Sequence, residues 1–160
     1  MDGPPVVFNT QVADISRSRV VAAGQQAIWD VLADFGAISS WAPMVDHSSL
    51  LHADARPPEQ ARRVQMGRTT VIEKVVAIDA PTTLAYDIEG LPRIIAGLRN
   101  SWELAALPTG FTVVTLTTTV AIGPRAPQQL AERVVCRLAA RQSEQLLAGL
   151  ASLWEDRHAR

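Results

Sequence analysis

Hydrophobic and polar positions change their period along this chain, and the changes mark its elements. From 124 to about 156 the period is helical. At about 100° per residue, Val134, Val135, Leu138, Leu146, Leu150 and Leu153 share one broad side, and Arg133, Arg137, Arg141 and Glu144 share the other. Pro124 and Pro127 suit the first turn of a helix, where a missing N–H is harmless. Gly149 is the one break, at about 1 kcal/mol relative to alanine. The pattern predicts one long amphipathic helix whose apolar face must be covered.

Nearly everything before that helix reads as strand. Residues 15–23 form the first, broken at Gly24. Helical spacing then runs through Ile28, Val31, Leu32 and Phe35 and ends at Gly36. A second short turn carries Ile38 and Trp41 and stops at Pro43, because a residue before proline avoids the helical region. Six strands follow, over 45–52, 62–66, 69–78, 84–89, 94–106 and 111–122, separated by polar or Gly/Pro-containing links. Alternation places Leu84, Tyr86 and Ile88 on one buried face. It groups Ile94, Ala96, Leu98, Asn100, Trp102 and Leu104 on the next strand, and Val114, Leu116 and Val120 on the last.

Short links between strands favour antiparallel hairpins. The expected fold is therefore α+β: a seven-stranded antiparallel curved sheet wrapped around the long C-terminal helix, with two short helices after the first strand. Between helix and concave face it should enclose a ligand-sized cavity of roughly 300–1,000 Å³. Residues 1–12 read as a loose leader and 13–157 as a single ligand-binding domain.

Composition narrows the classes of function. Hydrophobic residues make up 48%, charged residues 19%, and the net charge is −1. That balance gives no electrostatic reason to expect nucleic acid or an anionic membrane surface as a partner. Cys136 is the sole cysteine, which forbids an internal disulfide and suits a cytoplasmic setting. The first residues lack a basic region and a long apolar run, so neither a signal peptide nor integral membrane association is expected. Nothing in the pattern separates a monomer from a homodimer.

The chemistry-bearing residues are few. Trp29 reads as a core anchor, Trp41 as core or cavity mouth, and Trp102 as packing beneath the long helix. Tyr86 is the only tyrosine, and a buried phenol needs a hydrogen-bond partner. Asn100 and Gln142 fall on predicted buried faces, where a polar group is either satisfied structurally or orients a ligand. Glu73 and Lys74 are adjacent, so one points inward and one outward, and both frames around them are apolar. An inward Glu73 could act as a general acid or base; an exposed pair is the ordinary reading. His47 and His52, near Asp46 and Asp54, lack metal-site spacing, and no metal or cofactor is expected. There is no nucleophile elbow and no phosphate-binding glycine loop. The apolar segment 91–98, between Gly90 and Gly97, is either plain strand or a flap over a cavity mouth.

Several segments together resemble a known family. They are Ala27-Ile28-Trp29-Asp30-Val31-Leu32-Ala33-Asp34, Trp41-Ala42-Pro43, and Ile72-Glu73-Lys74-Val75-Val76 followed by Asp79-Ala80-Pro81. Leu84-Ala85-Tyr86 and Trp102-Glu103-Leu104 come next, then Gly110, Thr112 and Val114. The set is similar to the polyketide cyclase/dehydrase and lipid-transport family of the START-like (SRPBCC) superfamily, with the helix-grip fold, over about residues 14–156. The resemblance implies a hydrophobic cavity between sheet and helix.

The cavity-facing set expected from the two readings together is Trp41, Tyr86, Ile88, Leu98, Asn100, Trp102, Leu138, Gln142 and Leu146. The leading function is binding of a lipid-, isoprenoid- or polyketide-like molecule as carrier or sensor, without turnover. A polyketide cyclase or aromatase would need Glu73, Tyr86, Asn100 or His47 converging in the cavity, with Glu73 and Tyr86 the candidate acid–base groups. A third reading is an interaction protein using the arginine ridge or the flap on a partner.

Overall fold

The computed structural model of the chain describes residues 11–123 and 128–155, with side chains for 12–123 and 133–155. The elements are β1 (Gln11–Val21), α1 (Gln25–Ala33), a 3₁₀ turn (Phe35–Ser40), β2 (His47–Leu50), β3 (Ala61–Met66), β4 (Thr69–Asp79), β5 (Thr83–Glu89), β6 (Ile95–Ala106), β7 (Thr112–Ile122) and α2 (Gln128–Glu155). Strand β1 starts two residues inside the expected leader, whose other residues lie outside those described. The proposed helix opening at Pro124 and Pro127 also lies outside them.

The seven strands form one antiparallel curved sheet in the order β1-β7-β6-β5-β4-β3-β2. Strands β2 to β7 meander, and β1 returns beside β7. The local reason is clearest in β7, which is built largely from valine and threonine. Its inward residues, Thr112, Val114, Leu116, Thr118, Val120 and Ile122, are all buried, and those between them are half-buried. Gly67 turns β3 into β4 with a φ of 58°, the left-handed conformation that short hairpin loops require. In β6 the register shifts between Ile95 and Gly97. This bulge changes the facing before Leu98, so Ile95 turns inward while Ile94 and Ala96, expected inside, are exposed.

Helix α2 lies across the concave face, but its buried stripe differs from the hydrophobic count. Ala139, Ser143, Leu146, Leu147, Leu150 and Ala151 are buried, whereas Val134 and Leu138 are 50% and 63% exposed. Small residues let the helix approach the sheet, so the contact is centred on Ala139 and Ser143 and the larger Val134 and Leu138 fall to its flank. Gly149 has a similar origin. A Cβ there would stand 2.6 Å from Pro43 Cδ and 2.6 Å from the Trp41 carbonyl oxygen. Gly149→Ala should therefore destabilise the protein by about 1–2 kcal/mol, because overpacking against backbone outweighs the gain in helix propensity. A melting temperature at or above that of the wild type would contradict this close approach.

Two apolar clusters fill the interior. The larger joins α1, the 3₁₀ turn, β3–β7 and the C-terminal half of α2, and includes Trp29, Trp41, Tyr86, Trp102, Leu116 and Leu150. The smaller holds Ile15, Val120, Ile122 and Ala139, with Ile95, Leu98, Val135, Cys136 and Ala140 packed against it.

Candidate functional site

The helix–sheet interface is not open along its whole length. At the end under the 3₁₀ turn, Trp41 meets Trp102 edge-on with ring centroids 6.0 Å apart, and Phe35 meets Tyr86 edge-on at 5.5 Å. Beneath them lies an ion pair. Arg62 Nε donates to Glu73 Oε2 at 2.6 Å, Arg62 Nη1 donates to the Phe35 carbonyl at 2.8 Å, and the guanidinium lies 3.8 Å over the Phe35 ring. Glu73 is thus the inward member of its pair and Lys74 the exposed one, contrary to the exposed pair expected from sequence. Residue Glu73 faces inward because β3 places Arg62 directly across from it and supplies the countercharge that burial demands.

These groups occupy the space where the large cavity was expected. What remains is a cleft of about 130 Å³ within the smaller cluster, below the anticipated range of roughly 300–1,000 Å³. Of the expected ligand-facing residues, Leu98, Asn100, Leu138, Gln142 and Leu146 line it together. Trp102 and Tyr86 lie in the larger core. Trp41 also belongs to that core and borders a separate outer groove with Asp30, Asp34 and Trp154. Ile88 packs at the core's edge and borders a groove on the sheet's outer side. Leu91, Ile95, Thr118, Val135, Ala139 and Ser143 also line the cleft and were not singled out from sequence. Strict alternation along β7 would have found Thr118; Ser143 follows only from the helix's true contact face.

The wall is apolar except for a connected row. Thr118 Oγ1 donates to Asn100 Oδ1 at 2.8 Å, and Ser143 Oγ stands 3.3 Å from Thr118 Oγ1. A hydroxyl has one hydrogen, so with Thr118's committed to Asn100, Ser143 is the donor to Thr118 and retains lone pairs as acceptors. Asn100 Nδ2 donates to Tyr86 Oη at 3.5 Å, and Trp102 Nε1 donates to the same oxygen at 3.2 Å. The row therefore runs from the cleft into the core. Gln142 Nε2 reaches Met66 Sδ at 3.5 Å.

Burial pushes the Tyr86 phenol above its ordinary value, the Glu73 carboxylate adds to the rise, and the Arg62 guanidinium and the two donated bonds oppose it. Folding thus favours the protonated phenol. Its contribution to stability is full below about pH 10, the unfolded value, and is lost as pH rises from there through the folded value. Tyr86 is the only tyrosine, so the phenolate signal belongs to it alone. Ultraviolet titration should show less phenolate at about pH 10 in the folded protein than a free tyrosine gives, and Tyr86→Phe should flatten the alkaline fall in stability. A phenol titrating at its ordinary value before any unfolding would contradict this burial.

Among the described residues, no three of His, Cys, Asp or Glu gather as a metal set. His47 and His52 are exposed. Among the described residues no helix is long and apolar enough to cross a membrane.

Solved structures share this architecture. The di-domain ARO/CYC StfQ from the steffimycin biosynthetic pathway superposes with a TM-score of 0.77 at 18% identity, covering 93% of this chain and 52% of that one. This chain thus spans about half of StfQ's length. A START superfamily protein from Mycobacterium smegmatis gives 0.72 at 19% identity, covering 89% and 97%. The Zhui aromatase/cyclase from a Streptomyces species gives 0.73 at 18%, covering 94% and 97%. At these identities the likeness shows the fold, a START-like helix grip. No curated protein sequence matches the chain. The model of the family described as polyketide cyclase/dehydrase and lipid transport matches residues 12–155, which is nearly the whole chain, and the chain belongs to that family.

Proposed function

We propose that this protein binds one small hydrophobic molecule carrying a hydrogen-bonding group, in the cleft between α2 and strands β6 and β7, and acts as a carrier or sensor in the cytoplasm. The observation that carries this reading is the buried row Asn100–Thr118–Ser143 set into a wall of Leu91, Ile95, Leu98, Leu138 and Leu146. Apolar walls supply affinity, and a few placed polar groups orient the guest. The acceptor capacity left on Ser143 suits a hydroxyl or enol on the guest. An apolar cavity of about 150 Å³ holds a benzene-sized group, so a larger guest requires the lip at 90–98 to move. That lip is held from one side of the sheet: β5 pairs with β6 only from Arg99 onward, leaving Gly97 and Leu98 paired with β7 alone.

A cyclase needs an acid–base group at the reacting atoms. Neither Glu73 nor Tyr86 lines the cleft; the polar groups that do are two amides and two hydroxyls. This favours binding without conversion, although two of the structures sharing the fold are aromatase/cyclases.

Mass spectrometry of material extracted from purified protein tests the reading, with a stoichiometric hydrophobic compound expected. Hydrogen exchange at 90–98 should be faster than in Thr112–Ile122 and should slow when that compound is returned. Empty protein that binds no hydrophobic probe, with exchange at 90–98 unaltered by any of them, would overturn it.

A further inference from the structure

The net charge of −1 hides a local concentration of opposite sign at the mouth of the cleft. Its two lips are the turn at 90–95 and one flank of α2, because Leu91 and Ile95 line it from one side and Val135, Leu138 and Gln142 from the other. The turn is fixed near the approach to α2: Ile95 N–H donates to the Pro92 carbonyl, and Gly123 N–H donates to the Ile94 carbonyl. Large aliphatic side chains stand exposed on both lips, Ile94 on the turn and Val134 and Leu138 on the helix. Arginines stand beside them. At helical spacing Arg133, Arg137 and Arg141 form one row, and Val134 and Leu138 form the next row toward the cleft. With Arg93, residues 90–95 and 133–143 hold four arginines and no acid. None of the four takes part in an ion pair among the described residues. The flanking acids are Glu89, engaged by Lys74, Glu144, engaged by Arg17 of β1, and Glu132, next to Arg133 in the sequence.

We propose that this face docks on the surface of an anionic phospholipid bilayer, with the exposed aliphatic tips in the headgroup boundary and the arginines on the phosphates. Aliphatic groups flanked by cations form the pattern of an interfacial helix, and guanidinium groups match phosphate oxygens in pairs. A second copy is a poor occupant, since a two-fold contact would set the same arginines against each other. The cleft would then open at the membrane surface without any spanning segment. The docking is independent of whether the cleft holds a ligand.

Flotation of the full chain with vesicles tests it. The protein should float with vesicles of phosphatidylcholine containing about a third phosphatidylglycerol, stay behind with phosphatidylcholine alone, and be released as salt screens the charges. Arg137→Gln with Arg141→Gln should weaken partitioning roughly 25-fold, about fivefold for each charge. Val134→Ser with Leu138→Ser should weaken it at low salt, where the charges still hold. All four positions except Leu138 lie outside the cleft wall and all are exposed, so unchanged thermal melts would show that the variants fold. The proposal fails if the anionic vesicles do not capture the wild type, if capture ignores these substitutions, or if light scattering finds a dimer that Leu138→Ser dissolves.

Discussion

Replacing Arg62 by methionine is expected to lower the free energy of unfolding by about 3–5 kcal/mol, because it leaves the Glu73 carboxylate buried without its partner. The side chains of Arg62 and Glu73 are 3% and 8% exposed, so water does little to compensate. Three interactions end together: the bond to Glu73, the bond to the Phe35 carbonyl and the guanidinium contacts with the Phe35 and Tyr86 rings. For a domain of this size the melting temperature should fall by roughly 6–20 °C. Glu73→Gln should be damaging for the converse reason, as it strands a guanidinium. The double variant Arg62→Met, Glu73→Leu removes both charges, and its stability should return to near or above the wild type, as replacement of a buried pair by apolar groups often does. Single variants within about 1 kcal/mol of the wild type, measured by denaturant unfolding, would show that the pair is hydrated. A loss of any activity in Glu73→Gln would likewise need a stability measurement before it could be read as catalysis.

That pair also shows where the sequence stops being legible. The strand around Glu73 is apolar in both frames, Val71, Val75 and Ala77 against Ile72, Val76 and Ile78, so alternation alone could not orient it. The deciding residue, Arg62, sits on a different strand and meets Glu73 only through the register of β3 with β4. The overall architecture was readable because each element carries its own period: clean alternation in β5 and β7, helical spacing in α1 and α2, glycine or proline at the breaks. The helix–sheet contact was readable only in part. Hydrophobicity selected Val134 and Leu138, whereas packing selected Ala139 and Ser143, which are small enough for the close approach. The cavity's expected size failed for the same reason. Trp41, Trp102, Phe35 and Tyr86 were each visible as aromatic residues, but their stacking into one plug with Arg62 is a tertiary fact.

Ala139→Phe should abolish ligand binding while leaving the protein folded. Ala139 lines the cleft from α2 and packs in the smaller cluster with Ile15, Val120 and Ile122. Val120 and Ile122 leave no room behind it, since both are fully or almost fully buried. A phenyl ring placed here has the cleft of about 130 Å³ as its open direction, and it would take the volume a guest needs. Titration with a neutral naphthylamine dye, or with whatever compound is extracted from the wild type, should then show affinity at least 100-fold weaker, equivalent to about 2.7 kcal/mol. Part of the ring fills a void, so the overpacking penalty should stay at the lower end of the usual range of about 1–3 kcal/mol. Ala105→Phe serves as the control, because Ala105 is exposed on β6, one residue along from the inward Leu104. It adds the same ring outside the cleft and should leave binding unaltered. Tyr86→Phe should weaken binding by about tenfold or less, since of the two donors it strands only Asn100 lines the cleft, and it loses one net hydrogen bond. Undiminished dye binding by a folded Ala139→Phe would place the site elsewhere, with the outer groove between Trp41, Leu153 and Trp154 the next place to look.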